Sequence, residues 1–311
     1  MGRAQGARAQ QALAFESTYG VAPGSGFIQM PFARTTLGAD QPLEASELLG
    51  QGRDPLDPTQ GVITAGGQVT IPVDVEAIGH WLKSAFGAPT TTGTGPYTHV
   101  FQSGAWALPS YAVENGFPDV PSFSMIRGCM TDKLSIPMGR EGNLAATVDV
   151  IAQGENDPTP ATAAGTPTPI TVKRFGHFNG ALQREGSDLA DVTGAEFMYS
   201  NNLDPVDGIG AEIDGIDPSV AAATGKLDVR FANEILLDQA IAGDPCSLKY
   251  GWSLASGESL TVDVHRVFLP RPKREIQGPQ GVQVSFDWQA ARQTNGDPMV
   301  TVTLVNNVAS Y

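Results

Sequence analysis

The amino-acid sequence predicts a mainly β protein, a β-sandwich or barrel flanked by short helices. Apolar and polar residues alternate with a period of two in several segments, for example at Val69, Ile71 and Val73. Glycine (36) and proline (23) together approach a fifth of the 311 residues, and charged residues make up only 17%. This composition is typical of many short strands joined by tight turns. The length also leaves room for two modules.

Two segments of the first half predict parts that reach outward. Residues 1–16 contain Arg3 and Arg8 with no acid before Glu16, which predicts an N-terminal arm that orders only against a partner; a frayed terminus would have the same composition. Residues 41–61 are polar, contain proline and far exceed the usual connection of about 4–6 residues. A loop of this length usually contacts another surface, and the alternative is a mobile surface loop.

The remaining elements of the first half follow from periodicity. The alternation at 69–75 predicts a strand, and residues 75–86 then change to a helical period that ends before Gly87. Alternation at 134–138 and 144–150 predicts a hairpin around a glycine-rich turn. Residues 156–170 are rich in Pro, Thr, Ala and Gly, which predicts a linker between two halves.

The second half repeats this order. Residues 227–231 alternate, a helical period follows to about residue 240 and ends near Gly243, and further strands are predicted around residues 260–264, 282–288 and 300–304. The segment 67–87 resembles 225–243 in length, strand phase and helix placement, which predicts an internal duplication. One continuous β-rich fold is the alternative. The predicted plan is an arm at 1–16, a first module at 17–155, a linker at 156–170 and a second module at 171–311.

The charge balance restricts the partners. The chain has 19 basic and 33 acidic side chains, a net charge of −14, which repels a nucleic-acid backbone and argues against sequence-specific DNA binding. A surface along which DNA passes without being held remains compatible. Cys129 and Cys246 are too far apart to predict a metal clip or a disulfide framework. With no apolar run of about 18 residues, we expect a soluble protein that is made and kept in the cytoplasm.

No catalytic motif is evident. None of the four histidines has metal-ligand spacing, and Ser253 lacks the second glycine of a nucleophile elbow. We expect each of the histidines to be structural or exposed; they are His80, His99, His177 and His265. The sequence therefore predicts no enzyme, no cofactor and no metal site.

Two acid pairs could suggest other chemistry. Asp204 with Asp207, and Asp214 with Asp217, could bind calcium or serve a glycosidase, but their proline- and glycine-rich setting favours plain turns. Cys129 comes directly before a predicted strand, where a free cysteine is usually a small buried hydrophobe.

Four segments resemble a known family. Phe15–Pro23 (FESTYGVAP), Arg127–Ile136 (RGCMTDKLSI), Gly142–Glu155 (GNLAATVDVIAQGE) and Ser200–Leu203 (SNNL) are similar, in this order, to motifs of the major tail tube proteins of long-tailed, siphovirus-like bacteriophages and prophages. Each motif is short and glycine-dependent, and together they span most of residues 15–290. Many such proteins are shorter than this chain and carry one tube fold, whereas this chain has room for two.

The resemblance implies a structural virion protein with a β-sandwich or barrel-like core. Its subunits would join into rings, and the rings would be stacked by a long loop and terminal arms into a tail tube whose lumen passes the genome. The implied partners are further copies of the chain, the tape measure protein, tail terminator and baseplate proteins, and phage DNA that passes non-specifically; no membrane is involved. Assembly would take place in the host bacterial cytoplasm. With two modules in a chain, a trimeric ring of pseudo-sixfold symmetry is favoured over a hexamer.

Candidate assembly residues come from the charged side chains of the predicted arm, loop and basic cluster. Inter-ring contacts are expected from Arg3, Arg8, Glu44, Glu47, Arg53, Asp54 and Asp57, and inter-subunit contacts from Arg266, Arg271, Lys273 and Arg274. A solvated loop is the alternative for the basic cluster. The alternative functions are another tail or baseplate ring component, a non-phage β-sandwich binding protein and an acidic hydrolase.

Overall fold

A computed structural model of the chain describes residues 2–50, 52–177, 180–274, 278 and 281–311. Strands account for 46% of these described residues and helices for 7%, which confirms the mainly β class.

The elements are as follows. The strands before the predicted linker are Gln10–Phe15 (β1), Ile28–Gln29 (β2), Arg34–Thr35 (β3), Gly38–Asp40 (β4), Leu43–Glu44 (β5), Thr59–Gln60 (β6), Thr64–Pro72 (β7), Thr90–Thr92 (β8), Tyr97–Gln102 (β9), Tyr111–Phe117 (β10), Ser122–Met138 (β11), Ala145–Ala152 (β12) and Gly154–Glu155 (β13). The later strands are Thr168–Pro169 (β14), Gly180–Arg184 (β15), Ser187–Asp188 (β16), Val192–Ser200 (β17), Asp204–Val206 (β18), Gly215–Asp217 (β19), Ala222–Arg230 (β20), Cys246–Ser253 (β21), Ser259–Phe268 (β22), Gln283–Ala290 (β23) and Val300–Asn306 (β24). The helices are Ala77–Phe86 (α1) and Ile235–Ala242 (α2), and a 3₁₀ turn spans Gly6–Arg8.

A small sheet has the order β2–β1–β10 and then the first part of β11. Two larger antiparallel sheets make up most of the body of the molecule. The first has the order β4–β7–β12–β11–β17–β20–β23. The second has the order β15–β21–β22–β24–β9–β8. The end of β22 also pairs with β23, where Val267 lies opposite Ala290, and this joins the two sheets at one corner. Because β12, β21 and β24 bury every second residue, each sheet has one apolar face, as in a β-sandwich.

One hydrophobic core contains residues from both halves of the sequence. Trp81, Trp252 and Trp288 are all buried within it. Strands also cross between the halves, because β24 pairs with β9 and β17 pairs with β11. The two sequence halves therefore share one core and contribute strands to the same sheets.

The first predicted helix and the hairpin are confirmed with small shifts in their bounds. The helix expected over 75–86 begins at Ala77, and the hairpin around 139–143 is the β11–β12 pair. The second helix begins later than its periodicity indicated, at Ile235, because Phe231 is still extended and its backbone N–H donates to the carbonyl of Val282.

The segment predicted to be an N-terminal arm is partly ordered within the chain itself. Gln10–Phe15 pairs along its whole length with β10, and Leu13 is fully buried. The apolar run at residues 12–15 is too short for a periodicity argument, so its strand is set by the neighbouring β10. This narrows the arm to residues 2–9, which are exposed apart from the half-buried Ala9.

The segment predicted to be a linker is packed against the sheet. The buried carboxylate of Glu114, on β10, accepts hydrogen bonds from Thr162 Oγ1 (2.5 Å) and from the backbone N–H groups of Ala163 (2.6 Å) and Ala164 (3.0 Å). Composition predicted flexibility here, but the small residues of this segment let its backbone lie directly on a buried acid.

The same order of elements occurs twice. A strand region (β3 and β4, or β17) is followed by a two-stranded ribbon (β5–β6, or β18–β19), a nine-residue strand (β7, or β20) and a helix. The second nine-residue strand and the second helix both start 158 positions after the first, at 222 against 64 and at 235 against 77. The nine-residue strand has antiparallel partners on both sides in each half.

A glycine occupies the same position in both nine-residue strands. A Cβ atom on Gly67 would lie 2.5 Å from the carbonyl oxygen of Thr36, and one on Gly225 would lie 2.0 Å from that of Glu196. Both distances are far below van der Waals contact, so each strand requires glycine where the preceding strand passes close to it.

Candidate assembly surfaces

The segments that carry the family resemblance meet in the folded chain. Glu16 lies just after β1, and its carboxylate accepts hydrogen bonds from the N–H of Gly20 (2.9 Å) and of Gly128 (2.8 Å). Gly128 has a φ of 61°, which glycine adopts without strain. It marks the point where β11 leaves β10 and turns to pair with β12. Glu16, in the motif at 15–23, therefore holds the bend of β11 at Gly128, in the motif at 127–136.

A third motif joins the same region. The Asn201 side chain is buried and donates to the carbonyl oxygens of Ala85 and Thr131, both at 2.9 Å. Its backbone N–H donates to the carbonyl of Asp132, whose carboxylate accepts from the N–H of Leu203 at 2.9 Å. These contacts tie the end of β17 to α1 and β11. The motif residues hold the framework from which the ribbons extend.

The predicted loop at residues 41–61 is a two-stranded ribbon paired only with itself at its base. Leu43 lies opposite Gln60, and Glu44 lies opposite Thr59. Nearly all of its described residues are exposed, including several leucines, and Leu49 is 93% exposed. The predicted contact residues Glu44, Glu47, Arg53, Asp54 and Asp57 all lie on this ribbon and are exposed.

A second exposed ribbon, residues 204–217, was predicted only as a set of turns. Asp204 lies directly opposite Asp217 in the β18–β19 pair, and Asp207 and Asp214 are also exposed. Within the described ranges, no group of three or more His, Cys, Asp or Glu side chains could hold a metal ion. The structure brings Asp204 together with Asp217, one acid from each of the two pairs seen in the sequence.

The N-terminal arm carries its two predicted arginines in different states. Arg3 is exposed. Arg8 forms an ion pair with Asp119 at 2.6 Å while about two thirds of its side chain stays exposed. The backbone N–H of Gln5 also donates to the Asp119 carboxylate at 3.3 Å. Asp119 thus holds the arm on the β10–β11 hairpin, a contact that the sequence did not indicate.

The predicted basic cluster is spread along the end of β22, which contains Arg266, and the segment that follows it. Arg266 is half-buried with its guanidinium 5.0 Å from the ring centroid of Phe268, and Arg274 lies 5.6 Å from that of Phe231. Arg271, Lys273 and Arg274 are exposed. Arg266 and Arg274 therefore contact two different aromatic rings. The structure does not group these two arginines around one shared side chain.

Three of the four histidines make hydrogen bonds within the chain, and Nδ1 of the fourth, His80, is buried without a partner among the described residues. His99 bonds to Thr91, to Asn306 and to the carbonyl of Val308, and His265 bonds to Thr301 at 2.8 Å. His177 accepts from the N–H of Gly139. Burial and the nearby Lys83 lower the pKa of His80 to about 4. Ser253, at the end of β21, is exposed.

Both cysteines are free and buried. Burial raises the pKa of the Cys129 thiol well above its ordinary value and also raises that of Cys246. Because the thiolate is the reactive form of cysteine, neither side chain is a nucleophile at neutral pH. The prediction of Cys129 as a small buried hydrophobe is confirmed.

The fold is a β-sandwich that presents two self-paired ribbons and a charged terminal segment. A family model for the phage tail tube protein matches residues 6–290. The chain belongs to the phage tail tube protein family, which confirms the resemblance seen in the motifs and assigns it a structural role in the tail of the virion. No curated protein matches it. In the part of the chain that the structure describes, no helix has the length and apolar character needed to cross a membrane.

Proposed function

We propose that copies of this chain join side by side into rings, that the rings stack into the tail tube, and that the tube conducts phage DNA into the host. The observation that carries this proposal is the ribbon at residues 41–61, which extends exposed leucines from a fold that has its own complete core. Tape measure, tail terminator and baseplate proteins complete the tail in this proposal, and assembly takes place in the host cytoplasm.

The ribbon at 41–61 supports a ring-to-ring contact because it exposes both apolar and charged side chains. Leu43, Leu48, Leu49 and Leu56 are all exposed. Several exposed aliphatic side chains on one ribbon, with charged residues between them, favour a protein interaction site. The exposed arm at residues 2–9 adds Arg3 and Arg8 as cations for the same stacking contact.

Deletion of residues 44–58 tests the role of this ribbon. The variant should form soluble rings or protomers that do not lengthen, as seen by negative-stain electron microscopy and sedimentation. Val172→Asp is a matched control, because it changes an exposed aliphatic residue outside both ribbons. Tube growth by the deletion variant at the rate of the wild type would contradict a ring-to-ring role for the ribbon.

The ring itself is proposed to contain three chains with pseudo-sixfold symmetry. Support comes from the two copies of the strand, ribbon, strand and helix order, separated by 158 positions (222 against 64). Closed cyclic symmetry then satisfies the sheet edges of all subunits. Native mass spectrometry of isolated rings distinguishes a ring of three chains from a ring of six. Three chains agree with the proposal, and six chains contradict it.

Side-by-side contacts are proposed to use Arg266, Arg271, Lys273 and Arg274, which would pair with acids of the neighbouring subunit. The acidic surplus of the chain makes such partners abundant. Charge reversal at Arg271 and Lys273 together should weaken rings, and the weakening should depend on salt because the contacts are exposed. Rings of unchanged stability at low salt would exclude this role.

The lumen is proposed to be negative. A cationic wall would bind DNA through counterion release and slow its exit, and the chain has 33 acidic side chains against 19 basic ones. Replacing lumen-facing acids with lysine should slow DNA ejection while tubes still form. A strongly basic lumen in a structure of the assembled tube would refute this part of the proposal.

A further inference from the structure

We infer that the ribbon at residues 204–217 is a second ring-to-ring contact, the counterpart in the second half of the ribbon at residues 41–61, and that it binds a second copy of this chain in the neighbouring ring. This inference rests on the proposed stacking of rings. It assigns a binding role to a segment that sequence patterns indicate only as turns.

The position of the ribbon in the fold is the first argument. The ribbon at 41–61 connects β4 to β7, and the ribbon at 204–217 connects β17 to β20. The strand that follows each ribbon has nine residues and leads into a helix with the same spacing. The two ribbons are therefore equivalent insertions between equivalent strands.

The second ribbon is held both at its base and at the far side of its turn, where Glu212 lies. Leu203 and Ile216 are buried with Met130 in a small apolar cluster of their own. Arg127 forms a two-pronged ion pair with Glu212, with its Nη2 atom 2.9 Å and 2.6 Å from the two carboxylate oxygens. Both contacts come from the one Nη2 atom, while the other guanidinium nitrogens donate to Gln153 and Asn156, and such charge-assisted hydrogen bonds are stronger than neutral ones. The ribbon is thus presented in a defined direction.

The tip of the ribbon is built for contact with something else. Ile209 is fully exposed and Val206 is 41% exposed. The ribbon carries Asp204, Asp207, Glu212, Asp214 and Asp217 and no basic residue, and two of these acids lie directly opposite each other, an arrangement that weakens the strand pair. An anchored acidic ribbon that exposes an aliphatic tip resembles the leucine-bearing acidic ribbon at 41–61.

The two ribbons lie next to each other. The backbone N–H of Ile63, just after the first ribbon, donates to the carbonyl of Ala211 in the second at 2.9 Å. One face of the molecule therefore carries both ribbons. A neighbouring ring that binds the first ribbon lies against the same face and meets the second as well, which is why the occupant is another copy of this chain.

The test compares Ile209→Asp with Val172→Asp, which places the same charge on an exposed aliphatic residue outside the ribbons. Ring formation is measured by native mass spectrometry, and tube length and the critical concentration for growth by electron microscopy and sedimentation. Ile209→Asp should leave rings intact and raise the critical concentration at least about tenfold, because a buried isoleucine side chain is lost from each contact. The control should grow as the wild type does.

A labelling experiment keeps the inference testable if the charged variant folds poorly. Ile209→Cys introduces an exposed thiol, while Cys129 and Cys246 are buried with raised pKa values and stay unlabelled. The introduced thiol should react with a maleimide in isolated rings and be protected at least about tenfold in tubes.

The outcomes distinguish a failure of this inference from a failure of the proposed function, the stacking of rings into a tube. If the wild-type protein forms no tubes, the proposed function fails. If the wild type forms tubes but Ile209→Asp grows like the control, or the introduced thiol labels equally fast in rings and tubes, the inference is wrong while the proposed function stands. The same two results would follow if the ribbon bound only another tail protein or a cation.

Discussion

Asp74 is a buried carboxylate at the start of α1, and replacing it with asparagine tests how the helix is held. The side chain has 0% exposure. Its Oδ2 accepts from the N–H of Ala77 at 3.1 Å and its Oδ1 from that of Ile78 at 2.9 Å. These bonds satisfy two N–H groups that the first turn of a helix leaves unpaired. Asp74→Asn keeps one acceptor for them and removes the charge.

The magnitude follows from the pKa of this carboxyl. Burial raises the pKa of Asp74 to about 6 from 3.8, although the backbone hydrogen bonds lower it. The folded chain therefore binds the proton more tightly than the unfolded chain between these values, so the contribution of Asp74 to stability falls as pH rises through this window and is constant above it. The difference between a pKa of about 6 in the folded chain and 3.8 in the unfolded chain corresponds to about 3 kcal/mol of folding free energy over the whole window.

Urea unfolding from pH 4 to pH 7 measures this directly, below the concentration that supports assembly, with the buried Trp81 of α1 as a fluorescent probe. The free energy of unfolding of Asp74→Asn relative to the wild type should increase by about 2 kcal/mol from pH 4 to pH 7, because part of the full effect is already lost at pH 4. Asp238→Asn, exposed on α2, should keep the profile of the wild type. Parallel profiles for Asp74→Asn and the wild type would refute the reasoning.

Two further predictions concern contacts that local sequence patterns do not reveal. Glu114→Ala should lower the free energy of unfolding by about 2–4 kcal/mol, because the segment at 156–170 loses its hydrogen bonds to a buried carboxylate. The control Glu141→Ala, in an exposed turn, should change it by less than about 0.5 kcal/mol. Equal effects of the two substitutions in urea unfolding would contradict this prediction. Gly225→Ala should lower the free energy of unfolding by at least about 2 kcal/mol, since its Cβ would meet a backbone carbonyl oxygen at 2.0 Å. The control Gly251→Ala, whose Cβ has its nearest contact at 3.8 Å, should be neutral or slightly stabilising. Similar melting temperatures for the two glycine variants would exclude the clash.

Local patterns in the sequence determined which segments are strands and where the helices stop. The alternation of Val300, Val302 and Leu304 corresponds to β24, whose side chains point to opposite faces in turn. Gly87 and Gly243 end the two helices with φ values of 90° and 73°, as their positions after the helical periods predicted. The motifs also predicted the family. All these features depend on neighbouring residues alone, so a linear sequence displays them.

The tertiary structure decided which strands pair and which polar residues are buried. Nothing local to Leu13 and its neighbours indicates a strand; β10 makes it one. The same holds for the long strand β11, which serves two sheets because Gly128 bends it and Glu16 holds the bend. Ile209 becomes a candidate contact only once the ribbon around it is seen to lie beside the ribbon at 41–61. Pairing, burial and neighbourhood depend on residues far apart in the chain, whose contacts only the folded core brings into reach.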